Sequence, residues 1–130
     1  MIVVPSISGV YHLTKILNED ILLKLYSNDL IPIKSTTLGS LDEVVGGGYE
    51  SRTLTTASKT ITIGNPVTGL YPVENFLFTG VTVSPGTVYG YYIVTVGGTL
   101  LWAERFPESV LPFSPGSGSM IRITPRVQLT

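Results

Sequence analysis

The chain contains no cysteine and one histidine, and charged residues make up only 13% of it. Without cysteine there is no disulfide framework and no thiolate metal site. With one histidine, a Ser-His-Asp triad would have to pass through His12, and no GxSxG elbow accompanies it. His12 therefore reads as a surface or interface histidine. The eight Lys and Arg are scattered against nine Asp and Glu, for a net charge of −1. Nucleic acid is set aside as a partner, because a nucleic-acid groove needs clustered positive charge. No apolar run approaches the roughly 18 residues of a membrane helix, so no membrane partner is expected. The opening MIVVPSISGV lacks the basic start and apolar core of a signal peptide, which points to a protein made and assembled in a cytoplasm. No internal repeat of fixed period is found.

What remains is a chain of 130 residues, 43% hydrophobic, which fits one domain with a real core. Charge at about half the usual share has two explanations. One is a compact all-β fold rich in Thr, Ser and Gly. The other is a surface largely covered by further subunits.

Residues 1–7 are apolar, carry Pro5 and belong to no periodic element, which marks an N-terminal arm that docks on its own domain or on a neighbour. Val10, Leu13, Ile16 and Leu17 recur at helical spacing, so a short helix is expected over Ser8–Asn18. A strand follows over Ile21–Asn28, with Ile21, Leu23 and Leu25 on one face and Leu22, Lys24 and Tyr26 on the other. The polar stretch 28–48 has no clear period, and loops of that length are usually functional or lie on a partner. Tyr49–Leu54 and Lys59–Gly64 alternate as half-buried strands. Asn65–Pro72 is turn material, Asn75–Val83 a strand region, and 84–86 a turn. Pro107–Ser119 is loop. The closing Met120–Leu129 puts Ile121, Ile123, Val127 and Leu129 on one face, with Pro125 forcing an edge or a bulge. The expected fold is all-β: an antiparallel β-sandwich or barrel-like domain of about seven strands over residues 8–130, with one short N-terminal helix.

The densest stretch is VYGYYIVTVGGTLLWAERF, Val88–Phe106. Gly97-Gly98 reads as a two-residue hairpin loop. That register pairs Val96 with Thr99, Val94 with Leu101, Ile93 with Trp102, Tyr92 with Ala103, Tyr91 with Glu104, Gly90 with Arg105 and Tyr89 with Phe106. Both faces are then largely apolar, so the hairpin is central to a sandwich or its second face meets another chain. Gly90 is expected to leave space beside the Arg105 guanidinium. Glu104 and Arg105 point to opposite faces and each needs its own partner, the Tyr91 hydroxyl being one for Glu104.

Chemistry is sparse. VGGGYE is neither a Walker A loop nor a dinucleotide fingerprint, and its glycines are expected to supply positive φ and a close backbone approach. Asp29, Asp42, Glu43 and Glu50 flank the long loop but match no EF-hand spacing. A glycosidase pair need only meet in space, and nothing selects one here. No catalytic, cofactor or metal residue is assigned, and an enzyme is not expected.

The ordered set ILLKLYSNDLIP, GGGYESRTL, VYGYYIV, TLLWAERF and IRITPRVQL resembles a family of short virion structural proteins of tailed bacteriophages, from about Gly9 to Leu129. The resemblance implies a β-sandwich-like virion component and transfers no catalytic residue. The expectation it supports is a capsid decoration, or cement, protein on the capsid surface. Its partners would be the major capsid protein and copies of itself in a homotrimer. The alternative is a tail or head-fibre component, with a receptor- or glycan-binding module built on exposed Tyr and Trp as one form of it. The arm and the 28–48 loop would bridge neighbours. Interface candidates are Ile2, Val3, Val4, Pro5, Ile31, Ile33, Tyr89, Tyr91, Trp102, Arg105 and Phe106.

Overall fold

The computed structural model describes residues 18–62, 67–79 and 85–129. The arm over 1–7, nearly all of the expected helix, and His12 lie outside them. The described residues fold as antiparallel β-structure, with strands β1 (Ile21–Tyr26), β2 (Arg52–Leu54), β3 (Thr60–Thr62), β4 (Val67–Leu70), β5 (Glu74–Leu77), β6 (Gly90–Thr95), β7 (Leu100–Arg105), β8 (Met120–Ile123) and β9 (Arg126–Leu129). They form a four-stranded sheet in the order β2-β1-β6-β7, a three-stranded sheet β3-β4-β9 and a two-stranded sheet β5-β8. Among the described residues the sheets are open, not closed into a barrel.

Alternation along β1 organises the core. Ile21, Leu23 and Leu25 are fully buried and pack with Leu54 of β2, Ile93 of β6, Phe76 of β5, and Ile121 and Ile123 of β8. One face of the four-stranded sheet thus shares its core with the β5-β8 pair, as in a sandwich. Each fully buried side chain of this kind contributes about 1.5–3 kcal/mol of transfer free energy.

Three expectations change. Asn65–Pro72 is not simply turn: Val67–Leu70 pairs with both β3 and β9. Turn residues marked the stretch, but two waiting edges supply its hydrogen bonds. The closing strand is two strands in two sheets. β8 pairs with β5 and β9 with β4, and between them the Pro125 carbonyl accepts the Tyr71 N–H at 3.0 Å. The missing donor at Pro125 is where the chain leaves one ladder for the other.

The third change lies in the hairpin. Gly90–Arg105, Tyr91–Glu104, Tyr92–Ala103 and Ile93–Trp102 pair as expected, but Val94 lies opposite Leu100. The loop has three residues, 96–98, with the Gly98 N–H donating to the Thr95 carbonyl at 3.0 Å and the Thr95 N–H to Thr99 at 2.9 Å. A three-residue loop with its glycine at positive φ is a stable hairpin form, here with Gly98 at φ 97°. The register shift is absorbed as a β-bulge at Leu101. Leu101 and Trp102 consequently pack on the sandwich core, and Leu100 and Ala103 on the opposite side.

Candidate functional site: the covered sheet face and the β7 edge

The second face of the four-stranded sheet is covered by the chain itself. Tyr26, Tyr92 and Val94 are buried there with Leu41, and Leu22, Leu30, Leu38, Tyr89, Leu100 and Ala103 pack around them. Leu30, Leu38 and Leu41 come from the aperiodic 28–48 stretch. The two-sided apolarity of the hairpin is therefore satisfied within one chain. The loop expected to bridge neighbours serves first as a cover over its own sheet.

Backbone hydrogen bonds along β1 hold the cover in place. β2 pairs only with Ile21–Leu23 of β1. Beyond it the outer edge of β1 is taken over by the returning loop. Val44 N–H donates to the Leu25 carbonyl at 2.9 Å, and Ser27 N–H to the Asp42 carbonyl at 2.8 Å. The Leu25 N–H donates to the Tyr49 hydroxyl at 3.2 Å. That hydroxyl donates in turn to Glu43 Oε2 at 2.8 Å, and Lys24 Nζ meets Glu43 Oε1 at 3.2 Å. Burial, reinforced by the bond to Glu43, pushes the Tyr49 phenol far up. At the loop's neck, Asn28 Nδ2 donates to the Ser40 carbonyl at 2.8 Å and Asn28 Oδ1 accepts the Asp42 N–H at 2.9 Å. A loop with bridged ends packed on its own side chains is of the Ω type.

Tyr26 and Gly90 face each other across β1 and β6. A Cβ at Gly90 would overlap the Glu104 carbonyl oxygen and stand 2.6 Å from the Tyr26 hydroxyl oxygen and 2.7 Å from its ring. The space at Gly90 therefore belongs to Tyr26, a correction to the expectation that Arg105 uses it. The Tyr26 hydroxyl crosses that gap and donates to the Leu30 carbonyl at 3.1 Å. Burial pushes its pKa up to about 12.

Arg105 turns to the loop instead. Its Nη1 donates to Asp29 Oδ1 at 2.6 Å and its Nε to Glu108 Oε1 at 2.9 Å, while the guanidinium lies 5.2 Å from the Tyr89 ring centroid. Glu108, then Asp29, holds the Arg105 pKa above its ordinary value. On the other face the Tyr91 hydroxyl donates to Glu104 Oε2 at 2.6 Å, as the register predicts. Burial, then that bond, raises the Tyr91 pKa.

Pinned at neck and shoulder, the loop displays two isoleucines: Ile31 is 69% exposed and Ile33 67%. Next to them a groove of about 490 Å³ runs between Pro32, Ile33, Lys34 and Thr36 and the residues Leu100, Leu101, Trp102 and Ala103 of β7. Among the described residues β7 is the outer strand of its sheet.

The other candidates are placed as follows. Tyr91 is buried, while Tyr89, Trp102 and Phe106 are partly buried against the chain's own cores. The buried Trp102 Nε1 meets no acceptor. Ile2, Val3, Val4 and Pro5 lie outside the described residues. The carboxylates do not converge: Glu43 serves Tyr49 and Lys24, Asp29 serves Arg105, and Glu50 stands exposed. Among the described residues no three His, Asp or Glu gather as a metal site would require. The VGGGYE glycines do take positive φ, and a Cβ at Gly47 would press on Pro85 at 2.9 Å and Phe78 at 3.0 Å. Sequence reasoning missed the Tyr26–Leu30 and Tyr49–Glu43 contacts. A glycine in an aromatic strand was their one visible signal.

Comparison with protein-family models, with curated proteins and with solved structures gives no match to this chain.

Proposed function

We propose that the protein is a structural component of a tailed-bacteriophage virion: a capsid decoration protein that binds the assembled lattice from outside. Its partners are the major capsid protein and copies of itself, arranged as a trimer on the capsid surface after assembly in the host cytoplasm. The resemblance of its ordered strand motifs to short virion proteins supports this reading. The observation that carries it is the rigid display of Ile31 and Ile33. Ile31 and Ile33 stand two residues apart on one loop at 69% and 67% exposure, and contiguous apolar surface left in the open marks an interaction site. A loop fixed by Tyr26, Asn28 and Arg105 presents them with little ordering entropy left to lose on binding. A subunit that binds only the mature lattice stabilises it by mass action. The glycan-binding alternative draws on exposed aromatic faces, whereas every described tyrosine and the tryptophan are buried or half-buried.

The test is sedimentation with capsids stripped of the protein. The parent chain should bind saturably and raise the temperature at which the particles open. Ile31→Asp with Ile33→Asp should abolish binding and leave the free protein's stability within about 0.5 kcal/mol, as for exposed positions generally. Binding unaffected by both substitutions would remove the loop tip from the interface and with it the support for this reading.

A further inference from the structure

Among the described residues the sheets end in six edge strands, and five of them are guarded. Edges of soluble sheets are normally protected by shortness, charge or proline. β2 and β3 have three residues each, β5 carries Glu74, β8 Arg122 and β9 Arg126. β7 has six residues, and its first four carry no charge and no proline. Its charged pair comes at the far end and is engaged within the chain, Glu104 by Tyr91 and Arg105 by Asp29 and Glu108.

The groove of about 490 Å³ follows that bare edge. Leu101 and Trp102 pack on the sandwich core and Leu100 and Ala103 on the opposite side, yet all four line the groove. Residues of both faces can share one groove only along the strand's edge. Phe106 N–H donates to the Tyr89 carbonyl at 2.9 Å, which fixes the alternation of the β6-β7 ladder. Tyr91–Glu104 and Ile93–Trp102 are then the hydrogen-bonded pairs, and the Ala103 N–H and C=O point away from β6 into the groove. The opposite wall is a preset turn: Thr36 N–H donates to the Ile33 carbonyl at 3.0 Å, and Ile33 N–H to Thr36 Oγ1 at 2.8 Å. Lys34 on that wall is exposed, is the one charged residue lining the groove, and has no ion pair among the described residues.

We propose that this groove is a strand-addition site for a partner protein: an extended segment of the partner hydrogen-bonds to the outer edge of β7, seated against the 32–36 wall. Both flanks of that segment meet apolar surface, so its side chains are uncharged and β-branched, the kind that suits a pleated ladder. Lys34 selects one carboxylate on it. Backbone bonds supply the affinity, and the wall and Lys34 the specificity, as in strand addition generally. Edge and wall are both fixed before binding, so little ordering remains to be lost. Ile33 belongs both to the groove and to the exposed loop tip, so one partner covers the two together. That this partner is the capsid lattice rests on the function proposed above, whereas the chemistry of the strand does not.

Two capped peptides of alternating threonine and valine, with a single glutamate at the first or the last position, serve as probes. Each is titrated into the protein and followed by the fluorescence of Trp102, the only tryptophan. Both should give a saturable change, one of them at lower concentration, and Lys34→Gln should remove the difference between them. Ala103→Pro deletes the outward N–H without touching the β6-β7 ladder and should weaken binding about tenfold or more. No saturable change, or Lys34→Gln and Ala103→Pro both binding as the parent does, would overturn the proposal. Stripped capsids then identify the donor of the strand: Ala103→Pro should weaken capsid binding as it weakens peptide binding. Capsid binding unchanged by Ala103→Pro would overturn the lattice as that donor. Capsids that ignore the parent chain would refute the proposed function, and the peptide titration would still decide the groove.

Discussion

Gly90→Ala is the substitution that most sharply tests how the loop is held. In a strand, removing a glycine is ordinarily favourable by about 0.5–1 kcal/mol, because the unfolded chain loses freedom. Here the new methyl would meet the Glu104 carbonyl oxygen, part of the β6-β7 ladder, and the Tyr26 ring at 2.7 Å. Tyr26 is fully buried, so its ring has no open side to retreat to. Overpacking of this kind costs about 1–3 kcal/mol, and a backbone contact belongs at the upper end. The clash wins, for a net loss of about 2 kcal/mol. For a chain of this size that lowers Tm by about 6–10 °C, read by thermal and urea unfolding. Gly97→Ala is the matched control: its methyl would meet nothing closer than Thr95 Oγ1 at 3.9 Å. That variant should be neutral or up to about 1 kcal/mol more stable. Because the Tyr26 hydroxyl donates to the Leu30 carbonyl, Gly90→Ala should also loosen the loop tip, read as faster amide exchange across 30–33. Equal stability of the two variants would refute the packing argument.

Tyr49→Phe removes the acceptor of the Leu25 N–H and should cost about 1–3 kcal/mol, the range for a stranded buried amide; faster amide exchange at Leu25 is the check. Arg105→Ala releases Asp29 and Glu108 together, so exchange should quicken across 28–33 while the β6-β7 ladder stays protected. Exchange unchanged in the loop would mean that Asn28 and Tyr26 suffice to hold it. Tyr26, Tyr71 and Tyr92 each have pKa values raised to about 12, with burial the first cause. A raised folded-state value means that this contribution to stability is complete below the free phenol's value of about 10. It is lost as pH climbs toward about 12, so denaturant midpoints should fall between about pH 9 and pH 11. A constant midpoint over that interval would contradict the burial of these phenols.

Much of the sandwich core was legible because alternation is a local signal. Ile21, Leu23 and Leu25 could be placed from spacing alone, and four hairpin pairs followed from the glycine turn. What failed were choices decided by distant partners. Whether Val67–Leu70 is turn or strand depends on β3 and β9, and the sheet switch at Pro125 depends on Tyr71. The bulge at Leu101 trades a tighter loop for an extra residue, and both registers leave the apolar pattern almost unchanged. The aperiodic 28–48 stretch hid its role because a cover held by Asn28, Tyr26 and Tyr49 needs only a leucine every few residues. The register of β1 on β6, which sets Tyr26 over Gly90, has no local signature at all.

The most direct measurement is the copy number of this protein in purified virions, by quantitative mass spectrometry against the major capsid protein. If the protein decorates the capsid as proposed, copies number in the hundreds, in a fixed ratio to the lattice. A handful of copies per particle would place the protein in a tail or fibre, and its absence from virions would contradict the structural role outright.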